Sequence, residues 1–402
     1  MKVYEVMSEK LTILFVDDEL NILQGLRRQL RPMRETWDMH FVESGATALA
    51  LLEKNHFDAI ITDMRMPEID GAQLLAQIKQ LYPHMVRIVL SGYSDQNMTL
   101  RAAESAHRYL SKPCDADELR QTVLKTLAMQ QSIHSKQMLD MVAQIDSLPS
   151  PPTLYQELSE LIESEFSNVQ IISHTICKDP AMTAKILQLV NSSFFGLRQR
   201  VTNVSDAVKL LGRALIHAIA LSANLFRQLE NQHAELNNLW EHSYQVACMS
   251  RQIAMTQQLN KEFADAAFTA GLLHDTGKLV LSTRVPETYT QVLETTQQTG
   301  QPDWKIEKEM LEFNHADIGG YLLKLWGLPD HIVSAVVFHH EPALSHEKEF
   351  SLVSTVHAAN YLLNKQHHPG KPNHLDRKYF EELKLMESFL KWESNFIKNK
   401  VA

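Results

Sequence analysis

Asp63 closes the run Ala59-Ile60-Ile61-Thr62-Asp63, and Met64-Arg65-Met66-Pro67-Glu68-Ile69-Asp70-Gly71 follows it. An apolar strand thus delivers one carboxylate to its exposed end. Three more apolar runs finish in polar residues: Ile13-Leu14-Phe15-Val16 before Asp17-Asp18-Glu19, Arg87-Ile88-Val89-Leu90 before Ser91, and Tyr109-Leu110-Ser111 before Lys112-Pro113. Parallel strands gather such ends along one edge of a sheet. The residue types suit phosphoryl chemistry. A carboxylate accepts a phosphoryl group only where the charge on the transferring oxygens is neutralised in place. Asp17, Asp18 and Asp63 offer hard oxygen ligands for Mg2+; Lys112 would pair with one phosphoryl oxygen, and the Ser91 hydroxyl would donate to another.

These five positions, in this order, resemble the receiver domain of two-component response regulators over about residues 10–128. The resemblance implies that Asp63 is the phosphoacceptor and a cognate sensor histidine kinase its donor. It further implies that Asp17, Asp18 and the Arg65 backbone carbonyl hold Mg2+ with Asp63, that Ser91 and Tyr109 form a switch pair, and that the bond before Pro113 is cis. A plain doubly wound domain with solvated strand-end acids is the alternative, and five ordered matches outweigh it.

The chain has 402 residues, 44% of them apolar, enough for two or three domains with real cores. A net charge of -9 opposes bulk attraction to nucleic acid, so direct DNA binding is not expected. Cys114, Cys177 and Cys248 lack paired spacing, which suggests a reducing compartment. No apolar run approaches membrane-spanning length, and Met1 to Lys10 lacks a signal-peptide core. The expected location is cytoplasmic.

The fold these elements predict is α/β followed by all-α: a doubly wound parallel five-stranded sheet, a linker helix, and a helical domain. The boundaries read as an N-terminal extension over 1–10, a receiver over 11–128, a linker over 129–147, a helical domain over 148–345 and a helical extension over 346–402. Leu119, Val123, Leu127, Ile133, Met138, Met141 and Ile145 run from the receiver's last helix into the linker, where a short dimeric coiled coil would make a homodimer. Leu148-Pro149-Ser150-Pro151-Pro152 halts that helix.

Beyond it, seven segments carry helical periodicity: 153–162, 169–178, 181–191, 204–211, 213–227, 239–258 and 262–273. Leu148-Pro149-Ser150-Pro151, Asp179-Pro180, the run Val190 to Gly196, the run Val204 to Gly212, and Ala218-Ile219-Ala220-Leu221 together resemble the HDOD domain, an all-helical relative of the HD metal-dependent phosphohydrolases. By residue type these motifs are structural. Asp179 caps a helix that opens with Pro180, Gly196 and Gly212 suit helix ends, and Asn191 can bond nearby backbone.

The second half of the domain carries His274-Asp275, together with His242, His315 and His339-His340. Adjacent His and Asp on one helix can share two metals, the carboxylate bridging. The 32 residues between His242 and His274 (274 minus 242) suffice for two antiparallel helices and a turn. Similarity to the HD-GYP branch, whose members hydrolyse cyclic di-GMP, implies metal-ligand roles for all six, with Fe, Mn or Zn as the metal and Lys278 facing a substrate phosphate. Two departures stand against catalysis. Asn360 occupies the place of the last metal-binding aspartate, and the segment after His339-His340-Glu341 lacks glycine-tyrosine-proline. The first set (His242, His274, Asp275, Asn360) is thus incomplete, and the second (Asp275, His315, His339, His340) is whole. His217, His233, His331, His367 and His368 read as ordinary histidines, and the amphipathic stretch from Tyr379 to Phe396 reads as a terminal helix on the same core.

Two outputs follow. The favoured one is an interaction or ligand-sensing module that passes receiver state to a downstream signalling protein, such as a cyclic di-GMP enzyme, or binds a cyclic dinucleotide. The other is a phosphorylation-regulated metal-dependent cyclic di-GMP phosphodiesterase.

Overall fold

The computed structural model describes residues 10–91, 105–131, 199–221, 233–367 and 374–398, with most of 135–191. The chain divides into two compact units, with the change falling between Asp146 and Ser147.

The first unit holds five parallel strands in the order β2-β1-β3-β4-β5, namely β1 Leu11–Val16, β2 Trp37–Val42, β3 Ala59–Asp63, β4 Val86–Ser91 and β5 Arg108–Ser111. Both faces of the central strands are covered, which is why they read as unbroken apolar runs. Ile13, Phe15, Ile61, Ile88 and Leu90 pack with Leu119, Val123 and Leu127. Edge strand β2 is mostly half-exposed, and its mixed residues hid it from the apolar pattern. The helices are α1 Leu20–Gln29, α2 Gly45–Leu52, α3 Gly71–Leu81, α4 Ala116–Gln131 and α5 Lys136–Ala143. The long last helix read from the sequence is interrupted, because Ser135 is not helical and its hydroxyl accepts the Met138 amide at 3.4 Å, opening a new helix.

The described residues of the second unit form helices and their connections, with no strand among them. Its first helices are α6 Val169–Ile176, α7 Pro180–Val190 and α8 Val204–Leu221. Asp179 Oδ1 accepts the Ala181 amide at 2.8 Å, as expected of a cap before Pro180. Helix α7 is buried along its whole length. Helix α8 breaks at Gly212, whose φ is 73°, and Asn191 bonds the backbone of Val201 through both ends of its amide. Then come α9 His233–Thr256, α10 Lys261–Leu273, α11 Thr276–Arg284, α12 Pro286–Thr299, α13 Asp303–Leu311, α14 His315–Leu325 and α15 Asp330–Phe338. Helices α16 Leu352–His367, α17 Arg377–Glu382 and α18 Met386–Lys398 follow. Residues 346–402 belong to this same unit: Tyr379, Phe380, Phe389 and Trp392 are buried, and Trp392 Nε1 donates to Thr256 Oγ1 at 2.8 Å. Gly196, His368 and most of the segment 153–162 lie outside the described residues.

Candidate functional sites

In the receiver unit, the register Val16↔Thr62 brings the residues that follow, Asp17 and Asp63, side by side at the strand ends. Lys112, next after β5, reaches both. Its Nζ lies 2.7 Å from Asp17 Oδ2 and in direct contact with Asp63 Oδ1. The other carboxylate oxygens are held by backbone, Asp17 Oδ1 by the Glu19 amide at 3.0 Å and Asp63 Oδ2 by the Arg65 amide at 2.6 Å. Burial raises the Asp17 carboxyl above its ordinary range despite the Lys112 hydrogen bond, and its two acidic partners raise Lys112 against the opposing effect of burial. Asp18 is exposed beside them. The turn after Asp63 requires glycine at 71, since a Cβ there would stand 2.1 Å from the Asp63 carbonyl oxygen. Tyr109 is buried, so its ring is already turned inward. Ser91 ends β4, with its side chain outside the described residues. The Lys112–Pro113 bond is cis.

In the helical unit, six elements deliver the histidine cluster, with His242 on α9. His274 ends α10, Asp275 precedes α11, His315 opens α14, His339 ends α15 with His340 beside it, and Asn360 comes from α16. The crossing of α11 and α14 is the tightest contact in the site. A Cβ at Gly277 would meet the His315 carbonyl oxygen at 1.9 Å, so only glycine lets Asp275 and His315 come together.

Asp275 is 2% exposed, and its two oxygens face different partners. Oδ1 lies 3.2 Å from His315 Nε2 and 3.7 Å from His339 Nε2. Oδ2 lies 3.0 Å from Lys278 Nζ, 3.4 Å from His274 Nε2 and 3.9 Å from His242 Nε2. None of these contacts has hydrogen-bond alignment, and both oxygens, His274 Nε2 and His339 Nε2 are buried polar atoms without an aligned partner. Unpartnered polar atoms in an interior are costly, and their convergence fits a site built for a cation. Backbone fixes which nitrogen faces inward: Nδ1 of His274 bonds the Gly271 carbonyl and Nδ1 of His339 the Val336 carbonyl, each at 2.7 Å. Their Nε2 lone pairs are left free for an ion. Three groups with metal-holding spacing form among the described residues: His315-His339-His340, His242-His274-Asp275 and Asp303-Glu307-His315.

The charges follow from burial and neighbours. Burial, reinforced by neighbouring histidines and, for His340 and His242, by Lys278, holds His339 and His340 well below the ordinary imidazole range and His242 at about 3. Asp275 is pushed up by burial, but His274 and Lys278 carry it well below the carboxylate range. His315 behaves oppositely. Burial works against its charge, yet the Glu307 carboxylate takes it up to about 10.

Glu307, Asp303, Trp304 and His357 escaped the sequence reading. Fully buried Glu307 accepts both the backbone amide and Nδ1 of His315 through Oε2, each at 2.7 Å. Asp303 holds Lys278 at 2.9 Å. Trp304 stacks on His340, with centroids 5.3 Å apart, and His357 links the His339 carbonyl to the Asp376 amide. The i, i+4 spacing of Asp303 and Glu307 was a usable signal, since it places both acids on one helix face. Lys278 is part-buried between two carboxylates and lines the cavity over the cluster, so it is not a solvated helix-end charge. A cavity of about 620 Å³ opens over the cluster, with Tyr289, Tyr361, Asn364 and the exposed His367 in its walls.

The response regulator receiver model matches residues 13–124, and the HDOD model matches residues 148–342. The chain carries an N-terminal receiver domain and a C-terminal HDOD domain. This pairing gives it a role in two-component signalling. An uncharacterized protein of Treponema pallidum (strain Nichols) is 29% identical over 219 residues, which is 54% of this chain and 42% of that one. The MmoQ response regulator of Methylococcus capsulatus str. Bath is 25% identical, with 62% of this chain and 98% of that chain covered at a TM-score of 0.48. The signal receiver domain of an HD domain-containing protein from Pseudomonas fluorescens Pf-5 is 36% identical, with 31% of this chain and 100% of that chain covered at a TM-score of 0.30. The chain spans less than half the length of the curated relatives it matches. Among the described residues, no helix is long and apolar enough to cross a membrane.

Proposed function

We propose that this protein is a response regulator, phosphorylated on Asp63 by a sensor histidine kinase, whose HDOD domain is a metal-dependent phosphodiesterase acting on cyclic di-GMP or a related nucleotide. The observation that carries the enzymatic half is the buried Asp275 carboxylate, ringed by imidazoles with orphaned nitrogens. A core histidine or an interaction surface has no need of such an arrangement.

In the receiver, Asp17, Asp18, Asp63 and the Arg65 carbonyl would hold Mg2+, an oxygen set suited to that ion. Lys112 keeps its ammonium against Asp63 Oδ1, where it neutralises charge as the carboxylate takes the phosphoryl group and the kinase imidazole leaves. In the HDOD domain, Asp275, His315, His339 and His340 would hold a divalent ion, which when bound supplies Lewis-acid charge to a phosphoryl oxygen and acidifies a coordinated water. Glu307 keeps His315 Nε2 aimed at Asp275, the cavity admits the substrate beside Trp304 and His340, and Lys278 adds fixed positive charge. The interaction-module reading draws support from Asn360, a neutral amide in place of a carboxylate. Metal analysis and a cyclic di-GMP hydrolysis assay, with and without Asp275→Ala, separate the two. Metal-dependent turnover lost in the variant supports the enzyme, and bound nucleotide without turnover supports the module.

A further inference from the structure

We infer that the HDOD centre takes one divalent ion per chain, at Asp275 Oδ1 with His315, His339 and His340, and that the Lys278 ammonium stands in for a second ion on the Oδ2 side. The inference rests on the metal-dependent reading above and specifies its stoichiometry.

The two sides of Asp275 differ in what already occupies them. On the Oδ1 side, His315, His339 and His340 bring nitrogens that lie within 4.8 Å of one another. His340 Nε2 is 2.8 Å from His315 Nε2, and Nε2 of His315 and of His339 both face Asp275 Oδ1, so these nitrogens turn toward one point.

On the Oδ2 side the cation is already built in. Lys278 Nζ sits 3.0 Å from Asp275 Oδ2 and 2.9 Å from Asp303 Oδ2, a compact charge clamped between two carboxylates. The ligands an ion would need are also taken. His242 Nε2 lies 3.1 Å from Asn360 Oδ1, which has no proton to give, so the imidazole donates and that nitrogen has no lone pair for a metal. Asn364 Nδ2 donates to the same oxygen at 2.9 Å. Asn360 adds no negative charge in any case. His274 is left with Oδ2 alone, and Oδ2 already faces an ammonium. A divalent ion would have to displace Lys278, break the His242–Asn360 bond and accept an uncharged amide as ligand.

The test uses full-length protein loaded with excess Co2+, desalted, and analysed for cobalt content and visible absorption. One Co2+ per chain is expected in the wild type and in His242→Ala, none in His315→Ala, and two in the double variant Asn360→Asp with Lys278→Met. Two ions in the wild type would overturn the inference while leaving the metal-dependent reading intact, as would loss of the ion in His242→Ala. A double variant that stays at one ion also overturns it, because the lysine and the amide would then not be what excludes the second. No cobalt in a folded wild type removes the metal-dependent reading and the inference with it.

Discussion

Glu307 shows how one buried carboxylate can organise a site it does not line. Its Oε2 takes both the amide and Nδ1 of His315, which fixes the ring and sets Nε2 toward Asp275. Outer partners of this kind typically contribute about 10–100-fold to metal affinity. Glu307→Gln should weaken Co2+ binding by about that factor with an unchanged circular dichroism spectrum, as read by competition with a chelating dye; unchanged affinity would remove the positioning role. Asp17 makes the complementary prediction for pH. Burial raises its folded pKa above the ordinary 3.8, so the folded state binds this proton more readily than the unfolded chain. The stabilising effect of the neutral form is present below that ordinary value and is lost as pH rises through the folded pKa, leaving the ionised form a net cost. Asp17→Asn should therefore raise the thermal midpoint at neutral pH and flatten its decline between acid and neutral pH. Parallel midpoint curves for both proteins would contradict this. At this scale, Asp63, Asp17 and Lys112 were legible because three strand ends announce them, whereas Glu307 lies eight residues from its partner with no pattern joining the two.

The elements act by bringing backbones close where function needs them close. Gly277 and His315 stand on two helices that cross without room for a Cβ. Gly277→Ala should cost about 1–3 kcal/mol from overpacking and also lower cobalt content, since Asp275 and His315 move apart. Gly25, inside α1 with nothing within 4 Å of a Cβ, is the control: Gly25→Ala should stabilise by about 0.5–1 kcal/mol. Urea unfolding measures both, and equal effects at the two positions would refute the close-approach account. The periodic helices of the HDOD domain and the Asp179-Pro180 start could be read from the sequence because caps and apolar spacing are local. Strand β2 could not, since an edge strand with one exposed face carries Asp38 and His40 among its apolar residues.

For the whole molecule, the proposed function requires coupling between the receiver and the HDOD domain. Coupling free energies between sites typically change an equilibrium by about 5–150-fold. Beryllofluoride with Mg2+ should shift cyclic di-GMP turnover of the wild type within that range and leave Asp63→Asn unmoved. Equal rates with and without beryllofluoride in the wild type would mean that the receiver does not govern this activity.

The sequence by itself determined the two-part architecture, the order of strand-end acids and lysine, and the set of histidines with their one aspartate, because all of these depend on local periodicity and residue type. Only the tertiary structure decided that the two oxygens of Asp275 face unlike company, imidazoles alone on the Oδ1 side and a clamped ammonium beside two further imidazoles on the Oδ2 side. That difference arises where helices distant in sequence cross, and spacing along the chain carries no record of which atoms meet there.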